Sequence, residues 1–189
     1  SVSFSPDGAT FASAGSDNDT ISVWDVRSGR LLRTLEGHSK GVTSVAFSPG
    51  GTMLASASLD NSIRLWEISS GRILHILKGH SDSVMSVAFS LNGETLASGS
   101  DDKTINLWDV GSGRLRRTIK GHTAGVSSVA FSPDGATLAS GSFNEIAKLW
   151  DVGSGQLLRT ISSNSLKWLT PLALSISIML TAIFQRANW

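Results

Sequence analysis

Histidine, serine and carboxylate side chains are the raw material of hydrolytic and metal sites. The histidines of this 189-residue chain are placed with unusual regularity. Three of the four follow a glycine and stand 42 residues apart: His38, His80 and His122. An active site needs one copy of its nucleophile and base, so groups that recur argue for a structural duty rather than catalysis. Metal binding fails on related grounds, because histidines at equivalent places in successive units cannot converge on one ion. The fourth, His75, takes the place of Arg33 and Arg117 in neighbouring units and is expected to be solvated. There are no cysteines, which excludes disulfides and thiolate metal sites. Neither an H-E-x-x-H motif nor a Gly-rich phosphate loop occurs, and no cofactor is expected.

The same 42-residue interval separates Trp24, Trp66, Trp108 and Trp150, each followed by Asp or Glu. A fixed period of this length marks a repeat architecture rather than one globular core. Between the markers the chain alternates short apolar runs with turn signals. Ser5-Pro6-Asp7-Gly8 and its equivalents at Ser48, Ser90 and Ser132 are tight strand connections, with glycine supplying the permissive backbone. Thr104 to Trp108 alternates with period two, and no stretch before residue 162 has a helical period. Four short antiparallel strands per unit fit one propeller blade. A four-stranded sheet cannot bury both faces alone, so each unit must lean on its neighbours. The net charge of +1 and the absence of a long basic run give no reason to expect nucleic acid. Arg114-Leu115-Arg116-Arg117 is read as a solvated outer strand.

With Gly-His opening each unit and Trp-Asp closing it, residues 1–161 resemble a run of WD40 repeats. The resemblance implies an all-β fold: an open arc of four four-stranded antiparallel blades at residues 1–36, 37–78, 79–120 and 121–161, the first incomplete. It also implies a buried hydrogen-bond network in each blade. The full sets are His38, Ser56, Asp60 and Trp66, then His80, Ser98, Asp102 and Trp108. A third, His122, Ser140, Asn144 and Trp150, has Asn for Asp and is expected to keep the hydrogen bond without the charge. The first unit retains Ser13, Asp17 and Trp24, across a turn one residue longer. In the family, one rim of the ring is a frequent partner-binding surface. The corresponding positions are Gly41, Thr43 and Leu59, then Ser83, Met85 and Asp101, then Gly125, Ser127 and Phe143, with Lys40 in the polar surround. Apolar Leu59, Met85 and Phe143 are the candidate anchors.

After Ile161 the pattern stops, and residues 162–189 form an apolar tail. Residues 168–184 carry no charge and approach the length of a membrane span, while Thr170-Pro171 resembles a helix start for residues 170–185. The expected function is a protein–protein interaction scaffold without catalysis, cytoplasmic, and a fragment of a longer chain because Ser1 enters partway through a strand. Alternatives are a membrane-anchored sensor held by the tail, or an enzyme domain using the channel mouth. Protein partners are expected. The missing blades would either precede Ser1 or come from a second copy closing an eight-bladed ring.

Overall fold

The computed structural model describes residues 1–162, and all its regular elements there are strands. Residues 163–189, with the apolar segment 168–184 and the helix expected at 170–185, lie outside the described residues. Blade 1 comprises β1 (Val2–Phe4), β2 (Thr10–Ala14), β3 (Ile21–Asp25) and β4 (Leu31–Leu35). Blade 2 comprises β5 (Val42–Phe47), β6 (Met53–Ser58), β7 (Ser62–Glu67) and β8 (Ile73–Lys78). Blade 3 comprises β9 (Val84–Phe89), β10 (Thr95–Ser100), β11 (Thr104–Asp109) and β12 (Leu115–Lys120). Blade 4 comprises β13 (Val126–Phe131), β14 (Thr137–Ser142), β15 (Ile146–Asp151) and β16 (Leu157–Ser162).

Each blade is an antiparallel meander in chain order, so neighbouring strands need only tight turns. At the first turn, the Gly93 N–H donates to the Ser90 carbonyl at 2.9 Å, with Gly93 at φ 73° where a side chain would be strained. A bulge recurs at each tryptophan, between Leu65 and Trp66 and at the three equivalent pairs. Such an irregularity re-aims a side chain.

The core lies between blades, not within them. The first strands of successive blades pack on one another, β1 on β5, β5 on β9 and β9 on β13. Each junction sets Ile and Leu of one blade against Val, Leu and Trp of the next. Between blades 2 and 3 these are Ile63, Leu65 and Leu77 against Val84, Leu96 and Trp108. Every residue of β6 and β10 from its second position onward is buried, which the small residues of Ala55-Ser56-Ala57 and Ala97-Ser98-Gly99 permit. Complete burial of a Leu or Ile contributes about 1.5–3 kcal/mol, and no blade achieves it without a neighbour.

Two polar ties repeat at the junctions. On the inner strands, the N–H groups of Val45, Val87 and Val129 donate to Ser1, Ser44 and Ser86 Oγ at 3.2, 3.3 and 3.2 Å. At the periphery, Arg33 donates to the Ser70 and Ser69 carbonyls of the next blade at 2.8 and 2.9 Å, and Arg117 donates to those of Ser154 and Gly153. His75 is not the solvated side chain its sequence position suggested. It is half-buried, and Nε2 donates to the Gly111 carbonyl at 3.1 Å, reproducing the arginine tie with a shorter side chain.

Candidate functional site

In blade 3, the Trp108 indole N–H donates to Ser98 Oγ at 2.9 Å, and His80 Nε2 lies 2.8 Å from the same oxygen. His80 Nδ1 lies 2.8 Å from Asp102 Oδ2. Because the indole can only donate, the serine proton is left for Nε2, so the imidazole carries its own proton on Nδ1 and gives it to the carboxylate. Asp102 is held in turn by Thr104 Oγ1 at 2.6 Å and the Ser81 N–H at 3.0 Å. Blade 2 repeats the arrangement. His38 sits 2.7 Å from Ser56 and 2.9 Å from Asp60, Trp66 donates to Ser56 at 2.8 Å, and Ser62 Oγ donates to Asp60 at 2.6 Å. The relay joins the Gly-His loop to the second and third strands and to the turn between them, so four distant segments are pinned by one buried chain of bonds.

Burial is the largest influence on these histidines. It pushes His38 and His80 below the ordinary imidazole value, against the pull of Asp60 and Asp102. Burial alone would raise both carboxyl groups, but hydrogen bonds from Ser62 or Thr104, the histidine and the following backbone N–H together outweigh it and leave both below the ordinary range.

Blade 4 departs from the pattern. His122 Nε2 lies 2.7 Å from Ser140 Oγ and Trp150 donates to that oxygen at 2.7 Å, but His122 Nδ1 is buried with no partner. Asn144, expected to keep the bond, points away and donates to Thr123 Oγ1 at 3.0 Å. The reason is visible two residues on. Ser62 and Thr104 each clamp the carboxylate, whereas Ile146 has no hydroxyl to do so. Burial, followed by the charge of Lys148, pushes His122 down to about 4. Blade 1 retains only the bond from Trp24 to Ser13 at 2.8 Å, and the Asp17 carboxylate takes no hydrogen bond among the described residues.

A histidine whose pKa falls on folding regains its proton on unfolding. Its stabilisation is therefore complete above pH 6.5, the unfolded value, and drains away as the pH falls toward the folded one. Thermal melts should show the melting temperature dropping as the pH falls from 6.5 toward 4, the folded value of His122. The double substitution Asn144→Asp with Ile146→Thr supplies the missing carboxylate and its clamp. It should stabilise the chain by about 1 kcal/mol at neutral pH and raise the His122 pKa, read by imidazole chemical shifts. An unchanged His122 titration in that variant would show that the carboxylate does not reach Nδ1.

The Ser, His and Asp geometry resembles a hydrolase triad but cannot work as one here. Ser56, Ser98 and Ser140 are 0% exposed, and each hydroxyl is already engaged by Trp and His. Gly37-His38-Ser39-Lys40-Gly41 also has the G-x-S-x-G spacing of a nucleophile elbow. It sits between β4 and β5 with no helix after it, contrary to the strand–turn–helix context that exposes such a serine.

At the rim, the second-to-third-strand turn of each blade is tied to its Gly-His loop. The N–H groups of Leu59, Asp101 and Phe143 donate to the carbonyls of Gly41, Ser83 and Gly125 at 3.0, 2.9 and 3.0 Å. Phe143 is 58% exposed, while Leu59, Met85, Asp101 and Ser127 are half-buried and Lys40 is exposed. Thr43 turns sideways and donates to the Val84 carbonyl of the next blade at 2.6 Å. Ser127 instead donates to Gly141 within its own blade at 3.3 Å. Burial, then the neighbouring Asp82 and Asp102 carboxylates, raise the Asp101 carboxyl. Sequence reasoning missed two cations beside the relay: Arg64 lies 6.0 Å from the Trp66 ring centroid and Lys148 5.8 Å from that of Trp150. Their shared offset from the tryptophan, two residues before it, was the available signal.

Tandem four-stranded blades, packed face to face and cross-tied through a buried Trp–Ser–His–Asp relay, define a propeller-type repeat protein. The model of the WD domain, G-beta repeat, matches residues 1–25, 29–67, 71–109 and 113–151, and the chain belongs to the WD40 family. The matched segments are staggered against the sheets, since 29–67 takes the outer strand of blade 1 with the three inner strands of blade 2. Among known proteins, a stretch of 50 residues is 44% identical to a WD repeat-containing protein of Synechocystis sp., covering 26% of this chain and 14% of that protein. A stretch of 40 residues is 50% identical to GID complex subunit 7 of Schizosaccharomyces pombe, covering 21% and 8%. A stretch of 47 residues is 47% identical to the U5 small nuclear ribonucleoprotein 40 kDa protein of Pongo abelii, covering 25% and 13%. The matches thus span under a sixth of each relative's length.

Proposed function

We propose that the chain is a protein–protein interaction scaffold that performs no chemistry of its own, and that its partner docks on the rim around Phe143. The observation that carries this reading is a large aromatic ring left 58% exposed on a rim turn that the Phe143 N–H ties to the Gly125 carbonyl at 3.0 Å. Exposed aromatic side chains on a preorganised surface are the usual anchors of protein interfaces. Relatives named as a complex subunit and as a component of a ribonucleoprotein support it. Leu59 and Met85 extend the apolar surface along the same rim, and Lys40 and Asp101 give it a polar border.

The test is capture of a partner by the wild-type chain in parallel with Phe143→Asp, followed by measured affinities for the protein identified. Phe143→Asp should weaken binding at least about tenfold, with an unchanged melting temperature because the side chain is exposed. A partner bound equally by both would place the docking surface elsewhere.

A further inference from the structure

The turns joining the first two strands of each blade lie at the end of the strands opposite the Phe143 rim. At two junctions between blades, successive turns touch. A Cβ placed on Gly51 would lie 3.4 Å from Pro6 Cδ of the preceding blade, and one on Gly93 would lie 3.6 Å from Pro49 Cδ. Between blades 3 and 4 they part, and a Cβ on Gly135 would meet nothing within 4 Å. Leu91 stands there where the other blades have proline, and its side chain is 68% exposed. Beneath the turn, Met53 and Leu74 of blade 2 pack into the junction with blade 3. Their blade 3 counterparts are Thr95 and Arg116, and neither fills the equivalent space. Thr95 is short, and Arg116 is drawn back along its own blade, where Nε donates to Asp109 Oδ2 at 3.1 Å and Nη1 to Thr95 Oγ1 at 3.0 Å. The result is a cleft of about 570 Å³ between two described blades. Leu91, Glu94 and Arg116 replace Pro, Ala or Thr, and Leu of the other three blades, and all three line it.

We propose that this cleft is a second docking surface, which takes a segment of a protein partner carrying a Lys or Arg side chain beside an apolar one. Leu91, Phe131, Pro133 and Val152 give it an apolar wall, and mostly apolar concavities with a few polar groups are the usual form of a binding site. Its charge is one-sided. Arg116 is neutralised by Asp109, whereas Glu94 from blade 3 and Asp134 from blade 4 have no cationic partner among the described residues. An acidic segment would be repelled by both carboxylates, and a wholly apolar one would strip them of water with nothing in return. A basic side chain answers both demands, with its aliphatic stem on the apolar wall and its charged head at the carboxylates. The β9–β10 turn borders the cleft at one end of the strands, and the Asp101 N–H ties to the Ser83 carbonyl at the other. The cleft and the Phe143 rim therefore do not overlap, and the chain can hold two partners at once.

A phage-displayed library of random linear peptides, selected on the full 189-residue chain, is the probe. Enriched peptides should carry Lys or Arg next to Leu, Ile, Met or Phe, and should shift the backbone amide resonances of Leu91, Glu94 and Gly135. Glu94→Lys reverses an exposed charge, and Thr95→Met with Arg116→Leu installs the blade 2 filling, so far-UV circular dichroism should not change in either. Each should weaken peptide binding about tenfold or more. A peptide whose basic residue is exchanged for Glu should bind Glu94→Lys better than it binds the wild type. Phe143→Asp should leave peptide binding unchanged, so the cleft and the rim are tested separately. Enrichment of acidic or uncharged peptides overturns the proposal, as do basic peptides that bind Glu94→Lys and the wild type equally. So does the absence of any enriched peptide, the outcome when residues 163–189 or a second copy fill the cleft.

Discussion

Gly41→Ala should destabilise the chain by about 3 kcal/mol, at the upper end for overpacking a buried position. A Cβ at Gly41 would lie 1.6 Å from the Ser16 carbonyl oxygen and 2.3 Å from its carbon. Both are backbone atoms, so no side-chain rotation relieves the clash. The contact also bolts blade 1 to blade 2, since the Val42 N–H donates to the Asn18 and Gly15 carbonyls at 2.9 and 3.2 Å. The longer turn of blade 1 accounts for the demand. At the equivalent point of the next junction the chain carries Ser83, where the facing turn is one residue shorter. Gly50→Ala is the control, because its Cβ would meet nothing within 4 Å, and a change under about 0.5 kcal/mol is expected. Chemical denaturation of both variants measures the difference. Equal stabilities would mean that the loop and the turn do not touch.

Ser98→Ala should cost about 3 kcal/mol, because it strands two buried groups, the Trp108 N–H and His80 Nε2, each penalised by about 1–3 kcal/mol when unpaired. The hydroxyl has no exposure, so bulk solvent does not reach the two groups it leaves behind. Ser13→Ala removes only the bond from Trp24, which is half-exposed and has no histidine in its set. It should cost under about 1 kcal/mol, since solvent can satisfy that indole. The ratio of the two losses, measured by denaturant melts, reads the worth of a complete relay. Similar losses in both variants would show that His80 gains nothing from Ser98.

Much of the candidate site could be enumerated before any coordinates, because a fixed period carries each residue type to the same point of each blade. Given His80, Ser98 and Trp108, the period leads to His38, Ser56 and Trp66 without further information. The fate of Asn144 could not be found this way. An amide can accept from an imidazole, and only the arrangement around Thr123 and Ile146 turns it elsewhere. His75 misled for a related reason, since a histidine among polar strand residues gives no hint that a glycine carbonyl 36 positions away is its acceptor. The rim was legible as a set of positions but not as a surface. Thr43 and Phe143 occupy related places, yet one is spent on an inter-blade bond and the other faces water.

Local chemistry was sufficient for strand identity, turn placement and blade count. Pro and Gly in the turns and period-two alternation act within a few residues, and the 42-residue repeat copies their effect along the chain. Tertiary structure alone decided which groups are satisfied. A hydrogen bond depends on what the adjacent blade presents: Ser44 Oγ accepts from the Val87 N–H of the next blade, whereas the equivalent Ser128 Oγ is buried with no partner among the described residues. Identical residues in identical strands therefore end in different states, because burial belongs to the junction between sheets rather than to any one of them.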